Sequence, residues 1–405
     1  MNLESVKQIC VPGELLSESE FERVANRWLD AGNDSAEGES FVRHLTVIGK
    51  LTDFQASAVL AGIPGPYMLG PYRVKAFLAA GRLGNVFQAT HVDFGQPVAL
   101  KIFSPSLSRD PERLARLGRE ARVGVLVDNL HVVKTYQVGK VGEVPFIALE
   151  ELNGETLQQR LDRFGRLPYA DACQLISQAA FGLDYLHSQE IVHRDICPAN
   201  LWVTTSEIVK IMEFGAARDA LAYLDTLGDD GVTGVGAGAE LTMRSGGADE
   251  PLGHYPYMSA EQAKAPEAAD VSTDLYSLGC TLYHCLTGQV PFPDRNAVKQ
   301  MLRHATETPR LLGEFVADIP SELQQIVSRL LEKDPKERYD SAEEVATALE
   351  AFEPETRTLQ AEPVNTEFLQ WLQSGAHIEE VTEMEYDPEF QQFVDWVSGE
   401  SLPRF

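Results

Sequence analysis

The sequence predicts an α+β protein in which a small β-rich part precedes a larger α-rich part. Short strand-like runs at residues 86–90 and 98–103 are separated by a polar turn. Helical spacing of apolar residues dominates residues 169–186 and the chain beyond residue 272. We therefore divide the 405 residues into four parts: a helical N-terminal segment (1–70), a β-rich part (71–152), an α-rich part (153–354) and an acidic aromatic tail (355–405).

Composition excludes several classes of protein. A formal net charge of -27 argues against binding nucleic acid or an anionic membrane, because either would favour a basic face. The five cysteines are scattered and lack the spacing of a zinc site. The first ten residues do not resemble a signal peptide, and no apolar run is long enough for a membrane span. We expect a cytoplasmic protein with free thiols.

The N-terminal segment carries amphipathic helical patterns. One helix is predicted around residues 19–29, with a single apolar stripe formed by Phe21, Val24, Ala25, Trp28 and Leu29. Two shorter helices are predicted before the breaker at residues 62–66. A small cap or docking module follows from this pattern, which names no ligand.

The acidic tail contains two aromatic segments, at residues 367–372 and 389–394. In the second, apolar residues recur at the spacing of a short amphipathic helix: Phe390, Phe393, Val394 and Val397. Aromatic stripes are usually buried by their own chain, which favours packing in cis. Docking of the tail on a partner in trans is the alternative.

Residues 191–200, with the sequence IVHRDICPAN, are followed after a short strand-like run by Met212-Glu213-Phe214-Gly215. The two motifs resemble the catalytic loop and the metal-binding turn of protein kinases, in particular the bacterial serine/threonine type. The resemblance covers residues 72–352, with the motifs in the family's order. It implies a bilobal fold with a β-rich N-lobe and an α-rich C-lobe, and the use of ATP and Mg²⁺.

Residues 78–86 resemble the glycine-rich loop that approaches the phosphates of ATP, with Gly81 and Gly84 at two of its glycine positions. Lys101, in the sequence VALK, matches the strand lysine that contacts the α- and β-phosphates. Glu120 is the matching carboxylate partner on the following helix. Alone, a lysine on a strand is usually a solvated charge, but order and spacing favour the ion pair.

The adenine pocket is implied by the same resemblance. Val86 and Ala99 would line it, and Leu149 would be the gatekeeper residue. Backbone groups from Glu150 to Leu152 would form hydrogen bonds with the base.

In the catalytic loop, the resemblance makes Asp195 the residue that accepts or orients the proton of the substrate hydroxyl. Asn200 and Glu213 would hold Mg²⁺, and His193 would pack under Phe214. The activation segment, residues 213–261, would be a mobile loop over residues 226–253.

Three further motifs in the α-rich part match the family, and one of them, residues 274–279, matches its central helix. Residues 253–262 resemble the substrate-facing loop, and residues 334–339 resemble a late arginine motif. The resemblance therefore predicts a structural ion pair between Glu261 and Arg338.

Besides Ala79, which occupies the first glycine position of the glycine-rich loop, three positions in the catalytic motifs depart from the family's pattern. Cys197 stands where serine/threonine kinases usually have a lysine, His254 stands where they have a threonine, and Glu213 replaces an aspartate. The first change removes a cation near the transferred phosphoryl group, and the last lengthens a metal ligand by one methylene. Two functions stay open: a slow or conditional serine/threonine kinase acting on a protein substrate, and a pseudokinase that serves as an interaction scaffold.

Overall fold

The computed structural model describes most of the chain. The described residues are 1–63, 65, 67–80, 84–103, 124, 127–141, 144–214, 218–219, 255–265, 269–353, 364–374, 393 and 396. The chain forms two compact units. The first consists of residues 1–121, 134–152 and 362–405, and the second of residues 122–133 and 153–361.

The first unit begins with four helices: α1 (Leu3–Cys10), α2 (Glu18–Asp30), α3 (Gly38–Val47) and α4 (Asp53–Leu60). These helices form their own apolar core around Phe21 and Phe41, whose ring centroids are 5.5 Å apart. The predicted stripe on α2 is correct for Phe21 and Val24, which are buried. It is wrong for Leu29, which is 39% exposed. The apolar residues of α1 and α3 pack against one side of α2, and Leu29 is not part of the cluster that they form.

A six-stranded antiparallel sheet follows, in the order β1-β2-β3-β4-β6-β5. Its strands are β1 (Met68–Leu69), β2 (Tyr72–Ala80), β3 (Gly84–His91), β4 (Pro97–Phe103), β5 (Thr135–Val141) and β6 (Val144–Glu150). The strands predicted at residues 86–90 and 98–103 are confirmed as β3 and β4. Because side chains alternate along a strand, the sheet presents two distinct faces.

One face of this sheet packs against the N-terminal helices. Phe87, Leu100 and Ile102 are buried on it, together with Phe54 of α4. The ring centroids of Phe54 and Phe87 are 5.5 Å apart. Thr52 fixes the approach of α4, because its hydroxyl caps the helix and donates to the carbonyl oxygen of Lys75 on β2.

Aromatic residues of the tail pack against the same apolar core. Phe368, on the helix Thr366–Ser374, is fully buried, and its ring centroid is 5.2 Å from that of Tyr136. Phe393 is also buried, 5.5 Å from the ring of Tyr67. Phe390, Val394 and Val397 lie outside the described residues.

Asn365 orients the tail helix. Its side-chain oxygen accepts the backbone N–H of Glu367 at 2.9 Å, which caps the start of the helix. Its Nδ2 donates to the carbonyl oxygen of Phe94 at 2.9 Å, and its own N–H donates to the side chain of Gln96 at 2.9 Å. The turn between β3 and β4 therefore holds Asn365, the residue that precedes the tail helix.

The second unit is mainly helical, as predicted for the α-rich part. Its helices are Leu157–Phe164, Tyr169–Ser188, Ala260–Lys264, Val271–Thr287, Ala297–Thr306, Ser321–Leu330 and Ala342–Glu350. Its strands are β7 (Gly154–Thr156), β8 (Ile191–Val192), β9 (Leu201–Thr204), β10 (Val209–Ile211) and β11 (Arg218–Asp219). They form a three-stranded sheet, β10-β9-β7, and a two-stranded sheet, β11-β8.

Across the described residues, none of the helices combines the length and the apolar character that crossing a membrane requires. The antiparallel sheet of the first unit and the helical second unit agree with the α+β fold class expected from the sequence.

Candidate active site

The candidate catalytic loop leaves β8 and ends in a short 3-10 turn at Pro198–Asn200. The side-chain Nδ2 of Asn200 donates to the carbonyl oxygen of Asp195 at 2.7 Å and to its Oδ2 at 3.0 Å. Asn200 is only 4% exposed. These bonds hold the two predicted site residues next to each other and set the orientation of the amide.

Asp274, near the start of the helix Val271–Thr287, holds the backbone of this loop through hydrogen bonds. Its carboxylate accepts the backbone N–H groups of His193 at 2.8 Å and of Arg194 at 2.7 Å. It also lies 2.9 Å from Nε2 of His187. Burial alone would raise the pKa of Asp274, but the hydrogen bond from His187 and the nearby histidines hold that pKa below its usual value.

Asp274 is a site residue that sequence reasoning missed. The motif at residues 274–279 was matched to the family only as part of a helix. A carboxylate among apolar residues in the first turn of a buried helix was the available signal, since buried charges are normally paired.

His193 connects the loop to the segment that contains Glu213. Its Nε2 lies 2.9 Å from the carbonyl oxygen of Met212, and its ring centroid is 5.6 Å from that of Phe214. The predicted packing of His193 against Phe214 is therefore confirmed. The backbone N–H of Met212 also donates to the carbonyl oxygen of Asn200 at 2.9 Å, which places the two segments side by side.

Glu213 follows directly, with an exposed side chain and a positive φ of 66°. Arg194 has a similar φ of 68°. A non-glycine residue in this region costs on the order of 1–3 kcal/mol and persists where its surroundings impose it. In both cases the bonds from Asp274, His193 and the neighbouring backbone supply that constraint.

Cys197 is fully buried at the start of the 3-10 turn, where its carbonyl oxygen accepts the backbone N–H of Asn200 at 3.0 Å. Burial, reinforced by the negative charge of Asp195, raises the pKa of its thiol far above the usual range. The side chain is therefore a neutral thiol at physiological pH, and it supplies no positive charge beside Asp195.

The donor set of the loop fits a magnesium ion. The amide of Asn200 uses its nitrogen for Asp195, which leaves its oxygen as a potential metal ligand, and Glu213 offers a carboxylate. Magnesium prefers oxygen donors, and in nucleotide sites one or two protein ligands are completed by phosphates and water. Within the described part of the chain, no group of three or more His, Cys, Asp or Glu side chains is placed to hold a metal ion.

In the first unit, the face of the sheet opposite the apolar core carries the predicted nucleotide-contacting residues. Lys101 is paired across the strands with Val86 and with Ile147. Ala99 is paired with Leu149 and lies two residues before Lys101, on the same face. Val86, Ala99 and Leu149 are half-buried, whereas Lys101 is only 2% exposed.

Backbone contacts refine two of the sequence predictions. A side chain at Gly84 would place its Cβ 2.3 Å from the carbonyl oxygen of Ile102, so the close approach of β4 already requires glycine there. The N–H of Glu150 donates to the carbonyl oxygen of Lys134 at 2.8 Å and is thus occupied within the sheet.

Leu152 is half-buried just beyond β6. Gly81, Glu120 and His254 lie outside the described residues.

The predicted ion pair in the second unit is confirmed. Nη1 of Arg338 lies 2.5 Å from Oε1 of Glu261, and Nη2 lies 3.2 Å from Oε2. The guanidinium also donates to the carbonyl oxygens of Ser272 and Glu332. Next to this pair, Nε2 of Gln262 donates to the carbonyl oxygen of Arg194 at 2.7 Å, which connects the ion pair to the catalytic loop.

Comparison with known proteins finds similarity in the middle of the chain. Residues 72–349 match the model of the protein kinase domain. The chain is 32% identical to the serine/threonine-protein kinase PknB of Mycolicibacterium smegmatis, over 69% of this chain and 42% of that protein. It is also 32% identical to serine/threonine-protein kinase PknA of Corynebacterium glutamicum, over 69% of this chain and 56% of that protein.

Among solved structures, the crystal structure of the Mycobacterium tuberculosis PknI kinase domain resembles this fold with a TM-score of 0.52. The identity is 25%, and the match covers 70% of this chain and 98% of that chain. The chain thus spans about half or less of the length of the curated relatives described above, but nearly all of a kinase domain. It belongs to the protein kinase family, among the bacterial serine/threonine kinases.

Proposed function

We propose that the protein is an ATP-dependent serine/threonine protein kinase whose phosphoryl transfer is slow or conditional. The observation that carries the proposal is the organised catalytic loop. Asp195 and Asn200 are joined by two hydrogen bonds, and the buried carboxylate of Asp274 holds the backbone that leads to them. Positioning of this kind is the main contribution that proteins make to phosphoryl transfer.

In this proposal, Asp195 orients the substrate hydroxyl and accepts its proton as the oxygen attacks the γ-phosphorus, while the bond from that phosphorus to the β–γ bridging oxygen breaks and ADP leaves. Lys101, supported by Glu120, binds the α- and β-phosphates of ATP. Gly81 and Gly84 bring backbone amides to the phosphates. The adenine base is bound by a set of residues on the sheet and just beyond it: Val86, Ala99, Leu149, Glu150 and Leu152.

Asn200 and Glu213 would hold Mg²⁺, which when bound neutralises charge on the phosphates. Glutamate in place of aspartate keeps the charge but moves the carboxylate by about one bond length. Magnesium demands near-ideal octahedral geometry, and a misplacement of about 1 Å can cost on the order of a hundredfold in rate.

Cys197 adds a second penalty. Its buried neutral thiol replaces a cation, and loss of one electrostatic stabiliser typically costs roughly 10²- to 10³-fold in rate. The two penalties need not multiply, because residues that act as one unit are non-additive.

The buried thiol of Cys197 favours a second candidate function, a pseudokinase. A protein that only binds nucleotide or a protein partner needs no cation beside Asp195, so a buried thiol at position 197 would not harm it. In that case nucleotide, if bound, would bias the chain between conformations without turnover.

We further propose that the tail acts in cis, as part of the small lobe, and that the protein resides in the cytoplasm. The first proposal is supported by the burial of Phe368 and Phe393 in the core of the first unit. The second is supported by the five cysteines, all of which are free and buried.

Transfer of label from radiolabelled ATP to a generic protein substrate, with and without Mg²⁺, tests the proposal. We expect slow labelling that Asp195→Ala abolishes and that Glu213→Asp increases. Glu190→Asp is the matched control, because Glu190 is also an exposed glutamate with a positive φ, of 59°, in the same unit.

The kinase proposal fails if wild-type labelling is absent, or if it is unchanged by Asp195→Ala. A thermal shift with ATP in the absence of any labelling would then support the pseudokinase. Cys197→Lys, alone or with Glu213→Asp, should raise the rate further, provided that its melting temperature shows that the buried lysine is tolerated.

A further inference from the structure

The N-terminal helices line a cavity that is open to solvent and that the kinase chemistry does not use. Its volume is about 750 Å³, within the usual range for small-molecule sites. The lining comes mainly from α2, α3 and the turn after each helix. The residues are Arg23, Val24, Arg27, Trp28, Ala31, Asn33, His44, Ile48 and Lys50.

The cavity is basic, although the whole chain carries a net charge of -27. Arg23 and Arg27 are four residues apart on α2 and therefore lie on one face of the helix. Lys50 and Arg23 share the carboxylate of Glu20, whereas Arg27 has no carboxylate partner in the described part of the chain. Three cations, Arg23, Arg27 and Lys50, against the one carboxylate of Glu20 give these four side chains a summed charge of +2.

The other wall is apolar and aromatic. The ring of Trp28 lies 4.9 Å from the ring of His44, and Ile48 is 41% exposed beside them. The indole N–H of Trp28 is shielded from solvent and has no acceptor among the described residues. An unmet donor of this kind is commonly satisfied by an ordered water or a ligand.

We propose that this cavity binds a phosphate monoester that carries an apolar or planar group. A phosphate monoester has a charge of about -1.5 to -2 and three strong acceptor oxygens, which complements the local charge of the cavity. Arginine binds phosphate through its planar fork of N–H donors, and Arg27 is available for that contact. Trp28 and Ile48 would pack against the group attached to the phosphate.

This ligand chemistry has two obvious sources, a phosphorylated side chain in a peptide and a nucleoside monophosphate. Because a nucleotide also has a site in the kinase fold, only the effect of cavity variants assigns its binding to this cavity. The proposal does not depend on phosphoryl transfer, so Asp195→Ala must leave binding here unchanged.

Isothermal titration calorimetry of the full chain at low ionic strength tests the proposal with three probes. They are a phosphothreonine peptide with its unphosphorylated control, AMP, and inorganic phosphate. We expect binding of the phosphopeptide or of AMP that weakens about tenfold to a hundredfold in Arg27→Gln. Affinity should also fall as salt is added.

Arg43→Gln is the matched control, because Arg43 is an exposed arginine of α3 that does not line the cavity. It should leave the affinity unchanged. Fluorescence quenching that is lost in Trp28→Phe would report the same event at the cavity wall.

If Arg27→Gln and Arg43→Gln weaken the binding affinity equally, the effect comes from the net charge of the chain alone and the proposal is overturned. So would an absence of binding by all three probes, or binding of inorganic phosphate as tightly as the larger ligands, since the apolar wall would then contribute nothing. Equal melting temperatures of the two variants establish that folding is not the cause.

Discussion

Replacing Phe368 by alanine tests whether the tail is a structural part of the first unit. Its ring is fully buried and packs against His91, Phe94, Tyr136 and Trp371, at centroid distances of 5.2 to 5.7 Å. Burying a phenylalanine contributes about 1.5–3 kcal/mol by transfer from water. The cavity left by truncation adds to this, so Phe→Ala in a core typically costs about 3–5 kcal/mol.

The loss of stability caused by this substitution has an upper limit. If it exceeds the free energy with which the tail docks, the tail will detach and the loss of stability will stop at the docking free energy. The expected loss in the free energy of unfolding is therefore about 3 kcal/mol or more for a firmly docked tail. Detachment would expose His91 and Tyr136 to solvent, since both lie under the ring.

Urea unfolding followed by tryptophan fluorescence measures this loss. Trp371 is a local reporter, because its ring stacks on that of Phe368 with an interplanar angle of 22°. Phe164→Ala is the matched control, since Phe164 is 60% exposed and its removal should cost less than about 0.5 kcal/mol. The reasoning is refuted if Phe368→Ala and Phe164→Ala destabilise the protein equally, or if the emission of Trp371 is unchanged.

Three further predictions concern the second unit. Glu261→Gln should cost about 3–5 kcal/mol of stability in urea unfolding, because it leaves the 2% exposed guanidinium of Arg338 without a counter-charge; a loss below about 1 kcal/mol would contradict this. Burial lowers the pKa of His304 to about 3, so the unfolded chain binds its proton first and stability is lost as pH falls below about 6.5. Between pH 7 and pH 5 that loss is about 2 kcal/mol, and His304→Gln should remove it from the pH dependence of unfolding, whereas an unaltered dependence would exclude His304 as its source. Asp274→Asn should lower both the melting temperature and the labelling rate, because the loop N–H groups lose a charged acceptor worth about 1.5–3 kcal/mol; full activity would show that the loop holds itself.

The sequence predicted the fold because each motif consists of residues that are close together in the chain, so it can be recognised without knowledge of the tertiary structure. The run of residues 98–103 predicted a strand, which the structure contains as β4. The resemblance of two motifs to the kinase family implied the pairing of Glu261 with Arg338 across 77 residues. Both were found in the structure.

The sequence could not predict what depends on packing between distant segments. Leu29 has the spacing of a core residue, but the core contacts only one side of α2. The role of Asp274 was hidden because the backbone N–H groups that it accepts come from residues about 80 positions earlier. Every residue except proline has a backbone N–H, so the sequence does not show which of these groups a buried carboxylate will accept.

By itself, the sequence determined the family and the presence of a β-rich part followed by an α-rich part. Only the tertiary structure decided that Cys197 is a buried neutral thiol and that the aromatic residue Phe368 belongs to the core of the first unit. It also brought Arg23, Arg27 and Lys50 to one cavity. The physical reason is that burial, pKa and local charge depend on neighbours that folding brings together from distant parts of the chain.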